Sequence, residues 1–423
     1  MTAPHQSESK LLRIVLLAVA GLTALAVIPE AHAQTYSILY SFQGSLDGAN
    51  PQGVVLDAEG NLYGTTSRDG GLYAQGTLYK LNPRNVEAIL FRFLGDHGEV
   101  PYGSLLMNEK DSALFGTTIY GGTYKLGTVF GLDRNRGEVV LHNFSGTAGD
   151  GENPEAGLVR DEAGNFYGTA LYGGLEACGN GLGCGMVFEL SPTGEETQLH
   201  LFTGGTDGGW PMANLVRDKA GNLYGTANGG GDLSCYSRYG CGTVFKIDAA
   251  GNFSVLYAFH GGARDGAGPE ASVILDEAGS LYGTTIFGGS GDFGTVFKVD
   301  PAGKETVLHV FLGQPEDGQF PAYSPLLRDA AGNLYGEATG GGNTCDYGPS
   351  GCGIMFKLSP AGDETVLHYF TGMNGDGAYP SGGLVSDGKG NLYGTTGYGG
   401  PYSYVCIQYD IEYGCGTVFR LTE

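Results

Sequence analysis

The chain has 423 residues, 78 of them Gly, and 22 Lys plus Arg against 45 Asp plus Glu give a formal net charge of −23. Glycine at this level without a Gly-X-Y period excludes collagen, and 41% hydrophobic residues with 26 Tyr and 20 Phe exclude disorder. The acidity excludes nucleic-acid binding, which needs clustered Lys and Arg.

From the N-terminus, residues 1–33 read as a Sec signal peptide. Lys10 and Arg13 precede an apolar run over 14–28, and Ala31-His32-Ala33 supplies a small-x-small cleavage site. The run is shorter than the roughly 20 residues needed to span a bilayer. Export to the periplasm or the cell exterior is expected, with residues 34–423 forming one domain and a soluble monomer without a membrane span. Next, residues 36–42 carry a strand pattern, Tyr-Ser-Ile-Leu-Tyr-Ser-Phe.

The rest is repetitive. The phrase Leu-Tyr-Gly-Thr-Thr or a variant of it occurs seven times, with its aromatic at Tyr63, Phe115, Tyr167, Tyr224, Tyr282, Tyr335 and Tyr393. The intervals are 52, 52, 57, 58, 53 and 58 residues. Each repeat holds four short strand-like runs, in the third at 157–160, 165–170, 185–190 and 197–202. Gly, Asp, Asn and Pro punctuate them, and no sustained helical stripe occurs. Seven four-stranded repeats predict an all-β, seven-bladed β-propeller with four antiparallel strands per blade. We label the strands A to D, the Asp-x-x-Gly-Asn turn joining A to B and Leu-Tyr-Gly-Thr-Thr being B. The last repeat lacks a strand D, so 36–42 is expected to close the ring as the outer strand of blade 7. The mid-strand Gly of each strand B is expected to lie under an aromatic ring.

All eight Cys fall between strands B and C of four repeats: Cys178 and Cys184, Cys235 and Cys241, Cys345 and Cys352, Cys406 and Cys415. From the strand-B aromatic to the Gly opening strand C, repeats without Cys count 13, 12 and 12 residues, and those with a pair count 18, 18, 18 and 23. The enlargement arrives with the pair, so each pair is expected to close its own loop as a disulfide in an oxidising compartment. Two Cys per loop without an adjacent His do not suit zinc.

The array Asp-Gly-x-x-Pro, Gly-Asn-Leu-Tyr-Gly-Thr-Thr, Gly-Gly and Gly-Thr-Val-Phe-Lys-Leu resembles the GloVer tandem-repeat family over nearly all of residues 35–423. The resemblance implies an exported bacterial protein; it carries over no activity. Members often bear an anchor, and none is expected here at the C-terminus.

Candidate functional residues are sought where the sevenfold pattern breaks, because a residue repeated in every blade is architecture. Strand D carries His142, His200, His309 and His368 where other repeats have Tyr40, Phe91 or Tyr257, which reads as packing rather than ligation. The link from D to the next A carries Asp47, Asp150, Asp207, Asp265, Asp317 and Asp376, with Asp96 in a variant copy. Turn chemistry accounts for them, and a Ca²⁺ ion gathered by this ring is the cofactor weighed; no metal site is otherwise assigned. Before the Pro of that link stand Asn50, Val100, Asn153, Trp210, Gly268, Phe320 and Tyr379. Trp210, Phe320 and Tyr379, with Tyr120, Tyr172, Phe287 and Tyr398 on the B–C links, are the candidate ligand contacts, suited to stacking on sugar or meeting protein. Glu337, in strand B where Thr or its equivalent stands elsewhere, is the weak catalytic candidate, expected to be solvated. The favoured function is a non-enzymatic binding module for extracellular carbohydrate or a protein partner. The alternative is a propeller enzyme acting on polysaccharide or a small lactone, with or without a metal; a purely structural extracellular protein ranks third. Two or more symmetry-breaking carboxylates or His converging at the channel mouth would favour the enzyme.

Overall fold

The computed structural model describes residues 34–69, 71, 75–108, 110, 113–133, 137–147, 149–175, 178, 181–235, 239–313, 315, 317–342, 345, 350–401, 406 and 414–423. The expected signal peptide lies outside them. The strands form seven antiparallel sheets in the order A-B-C-D, making a seven-bladed β-propeller. In blade 3 these are Val159–Arg160, Phe166–Ala170, Met186–Leu190 and Glu196–Leu201, each within two residues of its sequence-predicted start. In blade 7 the outer strand is Thr35–Ser41, paired with the C-terminal Thr417–Thr422, so the N-terminal strand closes the ring as expected.

In six of the seven blades the A–B turn is built by its Asp. In blade 1 the Asp57 carboxylate accepts the backbone N–H of Asn61 at 2.8 Å and its side-chain amide at 2.7 Å. The strand-B Tyr63 adds its hydroxyl at 3.0 Å. Tyr167, Tyr224, Tyr282 and Tyr335 bond their turn Asp in the same way. In blade 2 the turn begins with Asn108 and the ring is Phe115, so Asp and hydroxyl are lost together.

The strand-B Gly faces an aromatic of strand C. Gly168 pairs with Phe188, whose ring tip would lie 2.6 Å from a Cβ added there. The same close approach recurs at Gly64, Gly116, Gly225, Gly283, Gly336 and Gly394. Every C–D ladder carries a bulge, at Leu199 in blade 3, where Val187 pairs with His200 and Phe188 with Gln198. A bulge re-aims the residue beyond it, here the position holding His or its aromatic equivalent. The core consists of clusters that straddle neighbouring blades: Val187 and Phe202 of blade 3 pack with Leu215, Leu223, Phe245 and Ile247 of blade 4.

The D–A link is more than a turn. Gly151–Glu152 pairs with Tyr172–Gly173, extending the inner and second strands of blade 3 toward the channel mouth. The four disulfides close their own loops as expected, with Cα separations of 5.4, 5.5, 5.6 and 5.5 Å.

Candidate functional site

Each D–A link docks on the preceding blade at three successive residues. The residue before Pro donates its backbone N–H to the carbonyl just ahead of the Gly that opens strand C: Trp210 to Cys184 at 2.8 Å, Tyr379 to Cys352 at 2.8 Å, Asn50 to Cys415 at 2.9 Å. The Pro then covers that Gly, as Pro211 covers Gly185. To make this bond the residue before Pro takes positive φ in every blade, including Val100 at 58°, Trp210 at 58°, Phe320 at 57° and Tyr379 at 54°. Left-handed backbone is costly for bulky residues, and such strain persists only where surrounding contacts fix it. The sequence-predicted aromatic positions are therefore clamped.

The residue after Pro faces the axis. Gln52, Tyr102, Glu155, Met212, Glu270 and Ser381 line an axial cavity of about 40 Å³ together with Tyr323. Blade 6 supplies Tyr323 because its link from Pro321 to Leu326 is one residue longer than that from Pro154 to Leu158, and Tyr323 sits at φ 60°. Two symmetry-breaking carboxylates thus converge at the axis. Burial, and then the charge of Glu270, push Glu155 up to about 7. Burial also raises Glu270, while hydrogen bonds from Tyr323 and Asn228 oppose it; the Asn228 amide donates at 2.7 Å. The Tyr102 and Tyr323 rings meet edge to face at 6.3 Å. Burial and the two carboxylates push the Tyr102 phenol up to about 12. No Lys or Arg is among the described residues lining the cavity.

Beside it, between blades 3 and 4, an open groove of about 480 Å³ is lined by Trp210, Tyr172, Tyr239, Leu171, Leu182, Met212, Asn228 and Gly229. Met212 belongs to both walls, and Asn228 joins the groove to Glu270. The Trp210 ring lies over Gly229 and stands edge to face with Tyr239 at 6.1 Å.

The structure brings Trp210 and Tyr172 into this groove. Phe320 packs with Phe287 at 6.1 Å, and Tyr379 with Tyr398 at 5.6 Å; Tyr120 is half exposed. The seven sequence candidates form separate groups, not one platform. Glu155 and Glu270 lie two residues beyond the candidate position, directly after the Pro, where the residue also varies between repeats.

Glu337 is corrected. It is fully buried, with 1% of its surface exposed. Burial pushes it up to about 7 against the hydrogen bond from Ser324. At this position the Thr hydroxyl of other blades donates to a carbonyl of an inner strand start, as Thr117 does to Ala156 at 2.7 Å and Thr284 to Pro321 at 2.8 Å, whereas the Thr65 hydroxyl of blade 1 is buried without a partner among the described residues. Glu337 instead accepts the Ser324 hydroxyl at 2.9 Å through Oε2, and its Oε1 is buried with no hydrogen-bond partner among the described residues.

The His of strand D pack as expected, and two of the four also hydrogen-bond through Nε2. His200 and His368 reach Asp207 and Asp376 at 3.2 and 3.3 Å. Tyr40 and Tyr257 put their hydroxyls on Asp47 and Asp265 at 3.0 and 2.9 Å. An aromatic substitute therefore does more than pack: the Tyr hydroxyl serves the same carboxylate as the His. These Asp residues therefore engage the outer strand of their own blade. His142 lies between Asp150 and Glu196, whose carboxylates outweigh burial and raise it to about 9.

The chain is similar to three solved structures and matches one family model. A puromycin hydrolase mutant superimposes with a TM-score of 0.51 at 12% identity, over 84% of this chain and 52% of that one. A gluconolactonase from Xanthomonas campestris gives 0.42 at 13% identity over 90% and 98%. Regucalcin from Agrobacterium tumefaciens, a calcium-binding protein, gives 0.41 at 13% over 92% and 93%. The first of these likenesses speaks to fold alone. No curated protein sequence matches. The four disulfides fit an oxidising environment, and no helix among the described residues is long and apolar enough to cross a membrane. The model of the Gloeobacter/Verrucomicrobia repeat matches residues 27–237 and 234–423, and the chain belongs to that family.

Proposed function

We propose that the protein is an exported binding module that captures carbohydrate in the Trp210 groove, with the ligand's hydroxyl-bearing end at the axial carboxylates. One observation carries this reading: an aromatic groove opens beside a cavity holding Glu155, Glu270 and Asn228. Aromatic faces suit the apolar faces of sugar rings, and carboxylates and amides suit their hydroxyls. At about 40 Å³ the cavity admits a hydroxymethyl group or a few waters, so the ring itself belongs in the groove. Glycan-array screening followed by calorimetry tests the proposal. Trp210→Asn is the informative variant, because Asn50 and Asn153 hold the same left-handed position in blades 1 and 3. Affinity is expected to fall at least tenfold in that variant and in Glu155→Gln. Glycan binding unchanged in both would overturn the proposal.

The paired carboxylates favour a second reading, hydrolysis of the bound carbohydrate or of a small lactone. Glu155, raised to about 7, would act as general acid beside Glu270. Turnover lost in Glu155→Gln with binding retained would select it over the binding module.

A further inference from the structure

The strand-D histidines fall into two kinds, distinguished by a residue at the start of strand D in the next blade. At the 3/4 and 6/7 seams that residue is aromatic. Phe253 stacks on His200 and Tyr36 on His368, both at 3.6 Å between centroids, and each His then hydrogen-bonds its Asp through Nε2. At the 2/3 and 5/6 seams it is Glu. His142 Nε2 lies 3.0 Å from Glu196 Oε2 and 3.5 Å from Asp150 Oδ1; His309 Nε2 lies 3.9 Å from Glu364 and 3.6 Å from Asp317. Neither of these Nε2 atoms is aligned for a hydrogen bond, although both are buried. Glu196 Oε1 and Glu364 Oε1 are likewise buried and unbonded.

We propose that His142, Asp150 and Glu196, and equally His309, Asp317 and Glu364, form two sites for a divalent first-row transition metal, zinc being the best match. In each set one imidazole nitrogen and two carboxylate oxygens lie within 4.8 Å of one another. Bonds of about 2.1 Å to a tetrahedral ion place ligand atoms about 3.4 Å apart, close to the separations seen here. Three protein ligands leave a fourth position for water. The carboxylates are held in place from behind, as metal ligands usually are: Asp150 accepts the N–H groups of Ser145 and Gly151 at 2.7 and 2.8 Å, and Asp317 those of Leu312 and Gly318, both at 2.6 Å. Phe144 and Phe311 pack edge to face on the two imidazoles at 4.8 Å. Among the described residues no Lys or Arg pairs with either set, so a cation would balance the second carboxylate.

The repeat supplies its own controls, since Tyr replaces His beside Glu at the 4/5 and 7/1 seams. The full-length protein is loaded with Zn²⁺, gel-filtered free of excess metal, and its zinc measured by mass spectrometry, with the visible spectrum of a Co²⁺-loaded sample in parallel. Two equivalents are expected. His142→Tyr and His309→Tyr should each retain one and the double variant none, with loss of the cobalt bands, while His200→Tyr and His368→Tyr keep both. Glu196→Phe and Glu364→Phe, copying the aromatic of the 3/4 seam, give the same test should a Tyr variant fold poorly. Absence of retained zinc in the parent protein, or two equivalents persisting in the double variants, would overturn the proposal.

Discussion

Ile38, in the first described strand, pairs across an antiparallel ladder with Phe419, four residues before the final Glu423. The ring is therefore held shut by its two ends. Beyond the ladder, Phe42 is fully buried against Tyr79 of blade 1, with ring centroids 5.0 Å apart. Deleting residues 34–44 removes this strand and the Tyr40–Asp47 bond. Losing a buried Phe alone costs about 3–5 kcal/mol. The truncated chain is expected to lose its cooperative thermal transition or to melt far lower; melting at the parent temperature would contradict closure.

Val100 is the β-branched residue at the left-handed position, where other blades have Asn, Gly or an aromatic. Left-handed backbone costs an ordinary residue about 1–2 kcal/mol, and Asn tolerates it. Asn153 at this site also donates its amide to Ile119 O at 2.9 Å. Val100→Asn is accordingly expected to stabilise the protein by about 1 kcal/mol, read from chemical denaturation midpoints.

Tyr79 stands in strand C where five of the other blades place Phe and blade 2 places Phe130. Its hydroxyl is buried with no hydrogen-bond partner among the described residues, because the Gly64 surface it covers offers only backbone already used in the sheet. An unsatisfied buried hydroxyl costs about 1–3 kcal/mol. Tyr79→Phe should raise stability by an amount in that range, and a destabilised variant would reveal a partner for the hydroxyl.

The blade count, the closing strand, the local disulfides and the ring over Gly168 were all legible because each is repeated, and repetition separates architecture from accident. The axial site was not. Glu155 and Glu270 come together from blades that are two apart in the ring, and no local pattern states which residue of a link faces the axis. Glu337 shows the same limit: strand-B alternation does not state that its carboxyl is closed over and meets only the Ser324 hydroxyl, a residue thirteen positions earlier. The Trp210 groove was half legible, since a unique aromatic marked the position but Tyr239, from the disulfide loop, completes the wall.

The Cys178–Cys184 disulfide has a positional role. Cys184 O accepts the Trp210 N–H, so the cross-linked loop holds the strained link that presents the ring. Closing so short a loop contributes about 2–3 kcal/mol. Replacing both Cys with Ser should cost about that much stability and also weaken any ligand that stacks on Trp210. The equivalent change at Cys406 and Cys415, on the blade 7 side of the ring, should cost similar stability and leave that ligand's affinity unchanged.

Glu337 gives the fold a pH dependence whose sign is fixed. Its carboxyl titrates at about 7 in the native state against 4.5 unperturbed, because burial disfavours the charge. The native state therefore holds this proton more tightly than the unfolded chain does. The resulting stabilisation is complete below pH 4.5 and is lost as pH rises through 7, an effect on the order of 3 kcal/mol. A Gln side chain keeps an acceptor for Ser324 without carrying charge. Glu337→Gln should consequently melt above the parent at pH 8, with the gap narrowing toward pH 5. A gap that widened on acidification would mean that the buried carboxylate is ionised and stabilised by the Ser324 hydroxyl.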